Sequence, residues 1–214
     1  MAGKQAKKQD KKQMNQKQLL LMGAAVLVVI MLAVGAVFLF GGEKGGFGGT
    51  YYVEIEVKDA GVITAELYGD KAPVTVENFL SLVDEKFYDG LTFHRIISGF
   101  MVQGGDPLGN GYGGSGKNIK GEFSQNGVNN DLKHTRGVLS MARSADPDSV
   151  SSQFFIMHQA APHLDGAYAA FGKVLSGMEV VDALCANTPV QDYNGTVAPQ
   201  DQPVITAIRR IEKP

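Results

Sequence analysis

Beyond residue 50 the pattern of apolar and polar positions changes period twice. Tyr52 to Lys58 alternates apolar and charged side chains, the period-two mark of a half-buried strand. Asp59-Ala60-Gly61 supplies turn residues, and Val62 to Tyr68 reads as a second strand, so the pair forms a hairpin. The spacing then becomes helical. Val76, Phe79, Leu80, Val83 and Phe87 share one face, with Pro73 near the start and Asp89-Gly90 closing the segment. Leu91 to Val102 holds short strand-like runs, and Gly104 to Gly121 is a glycine-rich loop. Gly137 to Ala142, Gln153 to His158 and Ala169 to Val174 are short apolar strands. Met178 to Cys185 is a short helix that turns Val181 and Leu184 inward, and Pro203 to Ile211 is a closing strand. Many short strands with two helices predict a mainly β fold, a closed or nearly closed antiparallel barrel whose closure removes exposed edges.

The first forty residues follow another rule. Leu19 to Phe40 is a run of 22 residues without a charge. At helical rise it extends about 33 Å, enough to cross a hydrocarbon core of about 30 Å. It reads as one transmembrane helix. Residues 1–18 carry six lysines against Asp10, a charge of +5 that keeps this tail in the cytoplasm by the positive-inside rule. Residues 41–50 are mostly glycine and form a flexible linker, which leaves 51–214 as one outward-facing domain. The rival for 19–40 is a cleaved signal peptide, which would release that domain as a soluble protein. Signal peptides have shorter apolar cores and end in small residues, whereas this run ends Phe38-Leu39-Phe40.

Charge and cysteine usage narrow the chemistry. The chain has a net charge of −2, so with +5 on the tail the remainder carries −7, which argues against nucleic acid as a partner. The single cysteine, Cys185, permits neither an internal disulfide nor a cysteine-based metal motif. The four histidines, His94, His134, His158 and His163, include no i, i+4 pair, so no metal site is expected. Gly109 to Gly114 matches G-x-G-x-x-G, and Gly111 to Asn118 approaches a P-loop. Neither is followed by a helical pattern, and without a helix N-terminus there is no phosphate cradle. Asn194-Gly195-Thr196 fits a glycosylation sequon, of use only on a eukaryotic secretory route.

Four blocks carry a stronger signal. They are Phe93 to Asp106 (FHRIISGFMVQGGD), Gly137 to Ala142 (GVLSMA), Ser152 to Ile156 (SQFFI), and His163-Leu164-Asp165-Gly166 followed by Phe171-Gly172-Lys173-Val174. In this order the chain closely resembles the cyclophilin-type peptidyl-prolyl cis-trans isomerases, over Tyr51 to the C-terminus but not over the anchor. The resemblance implies an eight-stranded antiparallel barrel capped by two helices. It also implies an enzyme that speeds rotation about X–Pro bonds in proline-containing polypeptides. Placed outside the membrane, such an enzyme would assist the folding of exported proteins.

The implied residue roles suit that reaction. Amide rotation has a barrier of about 18–20 kcal/mol, because twisting the bond breaks its resonance. No covalent bond breaks, so neither a nucleophile nor a cofactor is needed. A fixed donor aimed at the proline nitrogen, whose lone pair returns in the twisted state, acts only at the transition state. By resemblance Arg95 is that donor. Phe100, Met101, Phe155 and Leu164 form the proline slot. Gln103 and Gln153 hold the substrate backbone and orient the arginine. Gly111, Ala142 and Arg143 line the peptide groove, Arg143 standing where many members have Asn. His163 stands where eukaryotic members often have Trp, and Tyr168 where they often have His. Both departures lie on the pocket rim and imply weak cyclosporin binding. The alternative is a non-catalytic module that binds Pro-containing segments, which would have no need to keep Arg95.

Overall fold

The computed structural model describes residues 47–214. The basic tail, the expected membrane helix at 19–40 and most of the linker lie outside the described residues. Among the described residues no helix is long and apolar enough to cross a membrane.

Strands β1 (Thr50–Val57) and β2 (Gly61–Tyr68) form the hairpin expected from their alternation, paired from Thr50–Tyr68 to Val57–Gly61. Helix α1 (Pro73–Asp84) follows and buries Val76, Phe79, Leu80 and Val83, the face set by the helical spacing. Pro73 starts it because its fixed φ suits the first turn and its missing N–H is not needed there. The N–H groups of Val74 and Thr75 are capped from a distance. Both donate to the buried Glu122 carboxylate, at 3.1 and 2.7 Å.

Then come β3 (Thr92–Ile97), β4 (Met101–Asp106), β5 (Val138–Met141), β6 (Phe154–Met157) and β7 (Ala170–Ser176). Helix α2 (Met178–Asn187) and β8 (Ile205–Ile211) complete the domain. β4 continues through Gly104, Gly105 and Asp106, which the sequence pattern assigns to loop.

The eight strands form one antiparallel sheet in the order β3-β4-β6-β5-β7-β2-β1-β8. The sheet is curled, and its outer strands meet at the isolated bridge Thr92–Val204. Two backbone bonds flank that bridge, from Phe93 N–H to the Pro203 carbonyl (2.9 Å) and from Ile205 N–H to the Leu91 carbonyl (2.7 Å). This is less than the closed barrel expected from the strand pattern. Pro203 has no N–H to extend the ladder, so the seam is bridged rather than zipped.

Period-two alternation divides the strands between two cores. In β6 Phe154 and Ile156 join the main core with Phe79, Phe93 and Phe171. Their neighbours Phe155 and Met157 point to the opposite face, where they pack with Met101, Val138, Ala161 and Leu164 in a second cluster. The main core is dense in aromatic rings. Phe154 meets Phe79 and Tyr88 edge-on at 5.5 and 5.6 Å, the arrangement favoured by ring quadrupoles. The smaller outer cluster supports the candidate site.

Candidate active site

The strand register brings the predicted residues into one row. Arg95 pairs with Gln103 across β3–β4, Gln103 with Phe155 across β4–β6, and Phe155 with Ser140 across β6–β5. Paired residues of neighbouring strands share a face, so Arg95, Gln103 and Phe155 stand side by side on the outer surface of the sheet. The β3–β4 turn is tight. Phe100 N–H donates to the Ile97 carbonyl (2.9 Å), and Gly99 takes φ = 80°, which a residue with a Cβ rarely adopts.

A directed relay of hydrogen bonds fixes the arginine. Gln153 Nε2 donates to the carbonyls of Gly111 (3.0 Å) and Gly113 (2.8 Å), which settles which way its amide points. Its oxygen therefore faces Gln103 and accepts from Gln103 Nε2 at 2.9 Å. The Gln103 oxygen in turn accepts from Arg95 Nη1 at 3.1 Å. From the other side Arg95 Nε donates to the Asn194 carbonyl at 2.8 Å. Two bonds on different edges hold a planar guanidinium against rotation. Burial draws the Arg95 pKa below the ordinary arginine value, while Tyr168 and Asp192 act the other way. An arginine starts so far above neutrality that it remains charged.

Beside this relay lies a cavity of about 410 Å³. Phe100, Met101, Phe155 and Leu164 line it with Arg95, Gln103, Ala142, Arg143, His163 and Tyr168. Met101, Phe155 and Leu164 are buried, whereas His163 is exposed and its ring stacks on Phe100 at 5.8 Å. Tyr168 meets Phe155 edge-on at 6.0 Å. The slot is apolar at its base and carries the guanidinium on one wall. A second cavity, of about 730 Å³, takes in Gly111 and Gln153 and shares Gln103, Ala142 and Arg143 with the first. All twelve residues singled out from the sequence thus line one cavity or the other. Of the two parts expected of Gln153, the structure displays the link toward the arginine. The Gln153 amide is engaged with loop carbonyls and Gln103, so it is a strut for the relay.

Residues 52–210 match the family model described as cyclophilin type peptidyl-prolyl cis-trans isomerase/CLD. The chain belongs to that family. Among its relatives, peptidyl-prolyl cis-trans isomerase B of Bacillus subtilis is 51% identical over 123 residues, 58% of this chain and 82% of the relative. Peptidyl-prolyl cis-trans isomerase-like 1 of Aspergillus oryzae is 43% identical over 154 residues, covering 72% and 91%. The crystal structure of a Cryptosporidium parvum cyclophilin type isomerase superposes with a TM-score of 0.68 at 34% identity, over 78% of this chain and 100% of that one. The cyclophilin described here is therefore a peptidyl-prolyl cis-trans isomerase.

Several residues that shape this cyclophilin's site are not evident from its sequence. Asp192 accepts from the backbone N–H groups of Asn194 (3.0 Å) and Thr196 (3.1 Å) and from the Thr196 hydroxyl (3.0 Å). That turn delivers the Asn194 carbonyl to Arg95. Gly195 is required in it, because a Cβ there would run into the Ile96 carbonyl. Asp-x-Asn-Gly is a turn signal, but nothing local reveals that the turn serves an arginine 99 residues away.

The G-x-G-x-x-G segment is organised by Asp106, whose carboxylate accepts from the N–H groups of Leu108, Asn110 and Gly111 at 2.8, 3.0 and 2.6 Å. Burial opposes ionisation of Asp106, yet these N–H donors outweigh it and hold the carboxyl below its ordinary value. The loop's donors thus point at an internal carboxylate.

The histidines are dispersed. His94 is buried beneath the loop, His134 bridges Asp165 (3.2 Å) and Ser140 (3.0 Å), and His158 accepts the Gly99 N–H (2.8 Å). Among the described residues no group of three or more His, Cys, Asp or Glu side chains is placed to hold a metal ion.

Proposed function

We propose that Arg95 is the catalytic donor of this isomerase. The observation that carries the reading is the relay from Gln153 through Gln103 to a guanidinium set on the wall of an apolar slot. A proline ring seated on Phe100, Met101, Phe155 and Leu164 loses apolar surface to the slot. Its nitrogen then faces Arg95. As the X–Pro bond twists, that nitrogen regains a lone pair and accepts a bond from the guanidinium. The planar ground-state amide has no such lone pair to offer, so the bond lowers the barrier without tightening ground-state binding. Losing one preorganised donor of this kind typically costs about 2.7–4 kcal/mol, a hundred- to a thousandfold in rate. The test is a protease-coupled prolyl isomerisation assay on the full-length chain in mild detergent, beside Arg95→Ala. A folded variant retaining near-full activity would remove Arg95 from the role.

The same proposal sets the enzyme on the outer face of a membrane, acting on exported polypeptides. Its support is the uncharged run Leu19 to Phe40 behind a six-lysine tail. The full-length chain is expected to resist carbonate extraction from membranes and to expose residues 51–214 to external protease. A mature N-terminus mapped near Gly41 would show cleavage instead.

A further inference from the structure

The two cavities of the site meet at Gln103, Ala142 and Arg143, so a peptide leaving the proline slot for the larger cavity passes the Arg143 side chain. That side chain is held firmly. Its Nε donates to the Ala167 carbonyl at 3.0 Å and its Nη1 to the Ser144 carbonyl at 2.8 Å. Its guanidinium carbon sits 4.7 Å from the Tyr168 ring centre and 5.1 Å from that of Phe123. None of these partners carries a negative charge.

The seven ion pairs among the described residues include neither Arg143 nor Arg95, and Arg143 Nη2 has no acceptor there. No Asp or Glu lines either cavity. The nearest carboxylates in sequence are otherwise engaged: Asp146 accepts from Asp148 N–H, and Asp148 from Gly121 N–H and the Asn126 amide. Outside its first 18 residues the chain carries −7, yet the groove presents two fixed cations that stand in no ion pair. They differ in availability. Arg95 already donates to Gln103 and Asn194, whereas the Arg143 edge is open.

Taking the slot as the proline site, as proposed above, we infer that Arg143 makes this isomerase prefer X–Pro segments with an acidic side chain beside the proline. The carboxylate accepts from Arg143 Nη2 as the chain crosses from one cavity to the other. A guanidinium held by stacking and carbonyl bonds is already ordered, so little freedom is lost when it takes a carboxylate. An arginine serving only to pack on Tyr168 and Phe123 would favour no charge in the peptide.

The test uses the full-length chain in mild detergent and proline peptides with Glu or Gln at each position flanking the proline. At one flanking position Glu is expected to raise kcat/KM over Gln by about fivefold, the scale of a partly exposed ion pair. That ratio should fall toward one as salt screens the pair. It should fall to one in Arg143→Gln, survive in part in Arg143→Lys, and invert in Arg143→Glu, whatever the absolute rates do. A ratio near one at every position, or one unchanged by Arg143→Gln, overturns the inference. The same peptides are titrated for binding. A protein that binds but does not isomerise would sink the proposed catalysis, while its Glu-to-Gln affinity ratio would still decide this point. Binding of neither peptide would overturn both.

Discussion

Gln103 offers the most searching test of the relay, because it touches Arg95 without being the proposed donor. Gln103→Ala removes the acceptor 3.1 Å from Arg95 Nη1 and leaves the Gln153 oxygen without its donor. Arg95 keeps its bond to the Asn194 carbonyl, so it swings about one tether rather than losing its place. A hydrogen bond to a charged group contributes about 1.5–3 kcal/mol. Arg95 is only half-buried, so water replaces part of that, and the lower end of the range applies. The expected loss in kcat/KM is about ten- to thirtyfold, smaller than for Arg95→Ala. A protease-coupled assay on Gln103→Ala, Arg95→Ala and the double variant decides the matter. If Gln103 acts through Arg95, the double variant should be no slower than Arg95→Ala, because there is nothing left to orient. Fully additive losses, or less than a twofold effect in a folded Gln103→Ala protein, would refute the relay. Gln103→Glu adds a second check. Its carboxylate can accept from Arg95 but would confront the Gln153 oxygen. The Gln153 amide could turn only by giving up its bonds to Gly111 and Gly113, so the near-isosteric change should still slow the enzyme.

Burial holds the pKa of both His94 and His134 below the ordinary histidine value, so the folded protein refuses protons that the unfolded chain accepts. Their contribution to stability is complete above the unfolded value of about 6.5 and is lost as pH falls through the depressed folded values. The urea midpoint should therefore drop between pH 7 and pH 5, less steeply in His134→Gln; a midpoint that rises on acidification would reverse this sign. Activity, by contrast, should stay nearly flat across mildly acidic to mildly alkaline pH and should survive EDTA. Zinc-restorable loss with chelator would expose a metal role for the histidines. His163 stacks on Phe100 at the slot rim but presents less apolar area than an indole. Cyclosporin should bind weakly, with more than about tenfold recovery in His163→Trp, since a good interfacial aromatic contact contributes about 2 kcal/mol. Tight inhibition left unchanged by the substitution would remove His163 from the rim.

What the sequence could determine was local or encoded in recurring blocks. Alternation in Tyr52 to Lys58 marks β1, and the spacing of Val76, Phe79, Leu80 and Val83 marks the buried face of α1, because side-chain direction follows directly from backbone period. The blocks around Arg95, Ala142, Phe155 and Leu164 contain most of the residues that line the slot. The tertiary structure decided what depends on distant pairing. Phe154 to Met157 is apolar throughout, so periodicity could not say which residues enter the main core. The neighbours β4 and β5 send Phe155 outward to the site. The first turn of α1 has no capping side chain of its own and takes Glu122, 47 residues from Thr75. Arg95 is steadied by a carbonyl from a loop beyond α2, and the seam between β3 and β8 ends at a proline that cannot donate. Such contacts have no period to read. They exist because a curled sheet brings segments far apart in the chain to one place, where a backbone carbonyl, present at every residue, becomes specific only by its position.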